Sequence, residues 1–222
     1  MAWRGSWDSI RKHGLLSTQS LLELFDVDEQ HRTELLEKQR KDYVRINHPN
    51  LGIAHIRDQK PLSEKKLTSC LHGCDARTWY RILNERVFFW LNRQRLEKMM
   101  SAREYVGKYH TILHVDAEPV ARRYRAQIEL AHMNTGNTLP VAHPRGPDTF
   151  RSLDEYPYDR RRKLPDYSAV VEITIRQGIP DIWKYVRRAE HAGMIDGKYQ
   201  VNQVIYLSDG RPRNLASMHP RP

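Results

Sequence analysis

Residues 169–185 read AVVEITIRQGIPDIWKY, and the pattern of this stretch decides how the fold is read. Val171, Ile173 and Ile175 fall on one side of a period-two strand, and Val170, Glu172 and Thr174 on the other. Gly178 and Pro180 make a turn, and Asp181 caps a following helix expected to run to about His191. Glu172 is therefore a carboxylate inside a β-branched strand, aimed away from the most apolar face. Two readings of it compete. One is a solvated glutamate on an outer sheet face. The other is a catalytic carboxylate on the floor of a cleft.

Upstream of this stretch the other strands are easy to find. RVFFWL (86–91) is the most apolar strand of the first half, and HTILHVD (110–116) and QIEL (127–130) are further strands. The segments 87–90, 112–115 and 170–175 are expected to share one sheet. YVRI (43–46) and GIAHIR (52–57) pair across a His-Pro-Asn turn, and YQVNQVIYL (199–207) makes a last strand. Helices are expected where Ser17 or Thr18, Asp28, Ser63, Asp75 and Asn92 supply N-caps, and Gly14 ends the first helix. Helices cluster in the first half and strands recur without regular βαβ alternation. The fold class is α+β, with a mixed, mainly antiparallel sheet and helices packed on it. Residues 1–208 read as a single domain with a long loop at 131–166, rich in proline and glycine, and 209–222 as a C-terminal tail.

The totals narrow the class of function. With 222 residues the chain can bury a core without staples. Its 39% hydrophobic and 29% charged residues put it outside the disordered range, and no apolar run approaches a membrane span. Cys70 and Cys74 make no disulfide framework, and the first residues lack the apolar core of a signal peptide. A reducing cytoplasm follows as the expected location. The net charge of +10 favours a polyanionic partner, nucleic acid or a phosphate-bearing molecule.

Several chemistries lack their residues. There is no phosphate-binding Gly-rich loop and no Gly-x-Ser-x-Gly elbow. Cys70 and Cys74, with His72 between them, have no second ligand pair at a zinc-finger spacing, so no metal is expected. Arg57, at a strand end, either pairs with a nearby carboxylate or forks onto a phosphate. Phe88, Phe89 and Trp90 are core aromatics, of which alternation sends at least one to the opposite face, where it can stack on a ring. Arg145 and the run Arg160, Arg161, Arg162 lie in the long loop and are candidate contacts to a nucleic-acid backbone.

The order of SIRKHGLLST, IRDQKP, RVFFW and VVEITIRQGIPDI resembles a bacterial domain family of unknown function along nearly the whole chain. That family is in turn distantly similar to the DarT-type ADP-ribosyltransferases, toxins that modify DNA bases using NAD. The resemblance implies an ADP-ribosyltransferase-like fold and an enzyme that transfers ADP-ribose from NAD to a nucleic-acid acceptor. Carried over, Glu172 is the catalytic glutamate and Arg57 the arginine that holds the pyrophosphate. His13, Gly14 and Leu15 match the helix end, and Phe88, Phe89 and Trp90 match the aromatic strand at the nicotinamide. Gly178, Ile179 and Pro180 match the turn after the glutamate. NAD is then a substrate, and an antitoxin protein is a possible partner. The family's Tyr-His pair would stand just before Met1: either the start lies farther upstream, or the cleft lacks the histidine that would hold the cofactor's ribose. Two other readings stand beside this one: a non-catalytic, basic nucleic-acid-binding protein on the same fold, and an RNA 2′-phosphotransferase of related fold.

Overall fold

A computed structural model describes residues 1–161 and 169–208. The first half runs α1 (Trp7–His13), β1 (Leu15–Leu16), α2 (Thr18–Leu24), α3 (Glu29–Glu37), β2 (Val44–His48), β3 (Gly52–Ile56), α4 (Glu64–Thr68), α5 (Ala76–Asn84) and β4 (Arg86–Phe89). It continues with α6 (Arg93–Met100), β5 (His110–Val115), α7 (Ala117–Tyr124), β6 (Ile128–Ala131), β7 (Arg151–Ser152) and α8 (Tyr158–Arg161). The remainder is almost all strand: β8 (Glu172–Arg176), β9 (Gly178–Ile179), β10 (Val186–Ile195) and β11 (Lys198–Leu207).

Helix starts follow local hydrogen-bonding chemistry. Ser17, Asp28, Asp75 and Asn92 each accept from a backbone N–H of the first turn, at Ser20, His31, Thr78 and Arg95. Ser63 occupies the cap position of α4 without making that bond.

The architecture is α+β with antiparallel sheets. One sheet has the order β4-β8-β6-β7, with β8 central. Its register sets Phe89 opposite Ile173, Val87 opposite Ile175, and Ala131 opposite Glu172. A second sheet has the order β11-β10-β5. The expectation that 112–115 would share the sheet of Glu172 is corrected here: β5 pairs with β10, with Ile112 opposite Glu190. The reason is a second correction. The segment after Asp181 is not a helix to His191. It makes one 3-10 turn (Ile182–Lys184) and then the ten-residue strand β10. Val186, Ala189 and Ala192 are buried there, and β10 gives β5 a partner that a helix could not.

The two sheets share a core. Ile128, Leu130 and Ile175 from the first sheet pack with Val186 and Ala189 from the second, along with Trp7, Ile10 and Tyr124. The other face of the first sheet is also covered. Ala131 and Phe88 there meet Trp79, Tyr80, Leu83, Leu67 and Phe150. Neither face of β8 is open to water, and this decides the environment of Glu172.

β1 ties the two ends of the fold together, pairing Leu15 with Ile179 and Leu16 with Gly178. Gly14 has φ +96, and a Cβ there would stand 2.6 Å from Pro180 Cα. The helix end and the late turn therefore interlock through a missing side chain.

Candidate active site

Alternation along β8 sends Ile173 and Ile175 to the shared core and Glu172 and Thr174 to the other face. That face is closed, and Glu172 is only 3% exposed. The solvated outer-face reading is thereby excluded.

A strap made from 132–146 covers the carboxylate. The backbone N–H and the hydroxyl of Thr135 both donate to Glu172 Oε2, at 3.1 and 2.7 Å. The strap is itself clamped. Arg145 Nη1 donates to the carbonyl of Thr135 at 2.8 Å, and its Nε to the carbonyl of His143 at 3.0 Å. The backbone of Arg145 bonds on both sides, its N–H to Cys70 O at 2.9 Å and its O from the N–H of His72 at 3.0 Å. Farther along, Thr138 N–H reaches Pro61 O, and Ser63 N–H reaches the Thr138 hydroxyl. The Gly146 Cβ position would fall 2.3 Å from His72 O, so the clamp closes only around glycine.

Burial pushes the Glu172 carboxyl up to about 7. The two Thr135 hydrogen bonds and the charges of Arg145 and Arg95 pull the other way without offsetting it. An acid poised near neutrality in a covered strand is suited to exchanging a proton at working pH.

A cleft of about 760 Å³ opens beside this carboxyl. Val171 and Asn134, the chain neighbours of Glu172 and Thr135, form part of its wall. Arg95, His132, Asn137 and His143 supply its other polar groups, between apolar surfaces from Leu139, Pro140 and Val141. Glu172 is not itself part of the wall; it is linked to it through Val171, through Thr135 and by the charge of Arg95. A volume in the ordinary range of ligand pockets, a few polar groups and a perturbed acid make this the candidate site.

The residues singled out from sequence do not all come together. Trp90 is half-buried and follows Phe89, the last residue of β4, which pairs with Ile173, the residue after Glu172. Gly14 and Leu15 meet Pro180 and Ile179, so two of the motif segments are in contact. His13 Nε2 lies 3.0 Å from the carbonyl of Leu51, and its ring meets Phe25 edge-on.

Arg57 stands apart. Its guanidinium lies over the Tyr105 ring at 4.8 Å and 3.8 Å from Asp58, which also accepts from Tyr105 Oη at 2.7 Å. His110 is buried in the same group, its pKa lowered to about 4 by burial and then by Arg57. The charged neighbours of Glu172 are Arg145 and Arg95. Phe88 packs on Phe150 and Phe89 on the shared core, and neither lines the cleft.

Arg145 is a correction. It is 1% exposed, and its guanidinium is used on two strap carbonyls, so it cannot meet a nucleic-acid backbone. The side chains of Arg160 and Arg161, and all of Arg162, lie outside the described residues. Among the described residues no group of three or more His, Cys, Asp and Glu is placed to hold a metal, and no helix is long and apolar enough to cross a membrane.

Sequence reasoning missed Thr135, Arg95, His132, Asn134, Asn137 and His143. The signal available was the length of the loop and the polar run NTGNT within it. A family model described as a family of unknown function (DUF7002) matches residues 1–186. No curated protein and no solved structure matches.

Proposed function

The chain belongs to this family of unknown function, and from that premise we propose that it is an ADP-ribosyltransferase-like enzyme that takes NAD as substrate and a nucleic acid as acceptor. The observation that carries the reading is Glu172, a buried carboxyl poised at about 7 beside a polar cleft. Ionised, Glu172 stabilises the positive charge that develops on the ribose as its C1′–N bond to nicotinamide breaks and the bonding pair leaves with the nicotinamide. A nucleophilic nitrogen or oxygen of the acceptor then bonds to C1′, and Glu172 takes up the proton that the acceptor loses. Arg95 is the cation of the cleft wall suited to a phosphate, and Trp90 the aromatic closest to Glu172 in sequence register.

The use of the Arg57 guanidinium on Tyr105 and Asp58, and the hold of Thr135 on the carboxylate, favour a second reading. In it the same fold serves as a non-catalytic nucleic-acid-binding protein.

The experiment incubates the chain with NAD and with single-stranded DNA, RNA and protein acceptors, followed by mass spectrometry for free nicotinamide and ADP-ribosylated product. Product that disappears in Glu172→Gln supports the enzyme. Absence of NAD cleavage with every acceptor, including from a chain extended upstream, defeats it in favour of the binding protein.

A further inference from the structure

The hairpin of β2 and β3 buries one side and exposes the other. Ile46, Ala54 and Ile56 enter a core with Leu22, Phe25 and Leu36. Register sets Arg45 opposite His55 and Asn47 opposite Ile53, so these side chains share the outward side with Tyr43.

That outward side is aromatic and cationic. Trp3 stacks on Tyr43 with ring centroids 3.8 Å apart and planes 26° apart, and on His55 at 5.8 Å. Despite the stack, Tyr43 is 44% exposed and Ile53 40%. Arg45 is exposed beside them, as is Arg4, the chain neighbour of Trp3. The residues that make up this side, Trp3, Tyr43, Arg45, Asn47, Ile53 and His55, include no carboxylate. The nearest acid in the chain, Asp42, is engaged by Lys60 Nζ at 3.0 Å.

An exposed Tyr43 ring backed by the half-buried Trp3, flanked by guanidinium and without a carboxylate on the same side, matches what an unpaired base and its phosphate need. A duplex hides its ring faces and cannot use the stack. The chain's charge of +10 supplies the long-range attraction. We infer that the outward face of the β2–β3 hairpin, with Trp3 laid on Tyr43, is a binding platform for single-stranded nucleic acid. This does not depend on the cleft beside Glu172 being catalytic, and it replaces the contact once expected of Arg145.

Fluorescence anisotropy of the full chain with labelled oligo-dT and oligo-U, over a salt series beginning at about 50 mM, tests it. Tyr43→Ala is expected to weaken single-strand binding about tenfold, while Tyr43→Phe retains it. Arg45→Ala is expected to reduce the slope of log affinity against log salt by about 0.7. Ile53→Glu, at a position 40% exposed, places a negative charge on the platform and is expected to weaken binding as well without unfolding the chain. A melting curve accompanies each variant. If Tyr43→Ala lowers the melting temperature, Arg45→Ala and Ile53→Glu carry the test. The inference is overturned if the wild-type chain binds no single strand at low salt. It is equally overturned if these variants bind as tightly as wild type, or if a duplex binds as well and responds to them equally.

Discussion

Thr135 holds Glu172 by two donors on one carboxylate oxygen, its amide at 3.1 Å and its hydroxyl at 2.7 Å. The strap and the central strand therefore meet at a titratable group. Replacing the hydroxyl by a methyl in Thr135→Val removes one donor from an ionised, buried acceptor. The carboxyl should then titrate higher than about 7, because a hydrogen bond that favours the charged form is gone. The ¹³C shift of the Glu172 side-chain carboxyl, followed against pH, reads this whether or not NAD is cleaved. Thr135→Ser should restore the wild-type titration. An unmoved midpoint in Thr135→Val would show that the hydroxyl does not tune the acid.

Glu172→Gln should remove NAD cleavage by about 10²–10³ in rate if the charge acts on the ribosyl cation. Its effect on stability has a sign that depends on pH. The native carboxyl holds its proton to about 7, above the ordinary 4.5. The cost of ionising it in place therefore builds between those two values and is constant above them. Glutamine, neutral throughout, escapes that cost. Melting temperatures should shift in favour of the Gln variant from about pH 5 to about pH 7 and keep a constant gap above that. A gap independent of pH would remove the basis for a poised acid.

The wild-type rate should rise about tenfold per pH unit below the pKa of Glu172 and level off above it, because only the carboxylate stabilises the cation. Single-turnover NAD cleavage against pH checks this. A rate that falls as pH rises through 7 would assign the titrating group a different role.

Arg145→Ala should loosen the strap. It removes donors to Thr135 O and His143 O, which are then left unsatisfied, at a cost of roughly 2–4 kcal/mol. Limited proteolysis should cut within 132–146 earlier than in wild type. Arg145→Lys, with one donor head in place of a fork, should fall between the two. Equal cleavage rates in all three would mean that the strap is held by its backbone bonds alone.

Gly14→Ala should destabilise the protein by roughly 2 kcal/mol or more, since both the positive φ and the 2.6 Å approach to Pro180 Cα exclude a methyl. Thermal unfolding reads it directly. An unchanged melting temperature would mean that helix end and turn separate without cost.

Much of this was legible in the chain. Alternation named the two sides of β8, and the caps at Asp75 and Asn92 placed α5 and α6. What failed did so for identifiable reasons. Alternation says which way Glu172 points but not what stands opposite, and the covering strap comes from a loop with no periodicity of its own. Arg145 looked like a surface cation because composition carries no burial; only the fold shows two carbonyls converging on it. The segment after Asp181 carries a capping residue, yet tertiary pairing with β5 and β11 outweighs that local signal. Arg57 keeps its expected order along the chain, and the fold adds what order could not show, its contacts with Tyr105 and Asp58.

The clip between Leu15 and Ile179 also governs when the molecule can be completed during its synthesis. The strand that β1 needs emerges from the ribosome only after most of the chain. β10, the partner of β5, comes later still. Until then Trp7 and Ile10 have no Ile179 or Ile182 to cover them. Pairing of such distant segments is slow, and the wait leaves apolar surface open to other chains. A nascent chain that stalls before Gly178 should therefore be a substrate for chaperones or proteases rather than a smaller folded protein.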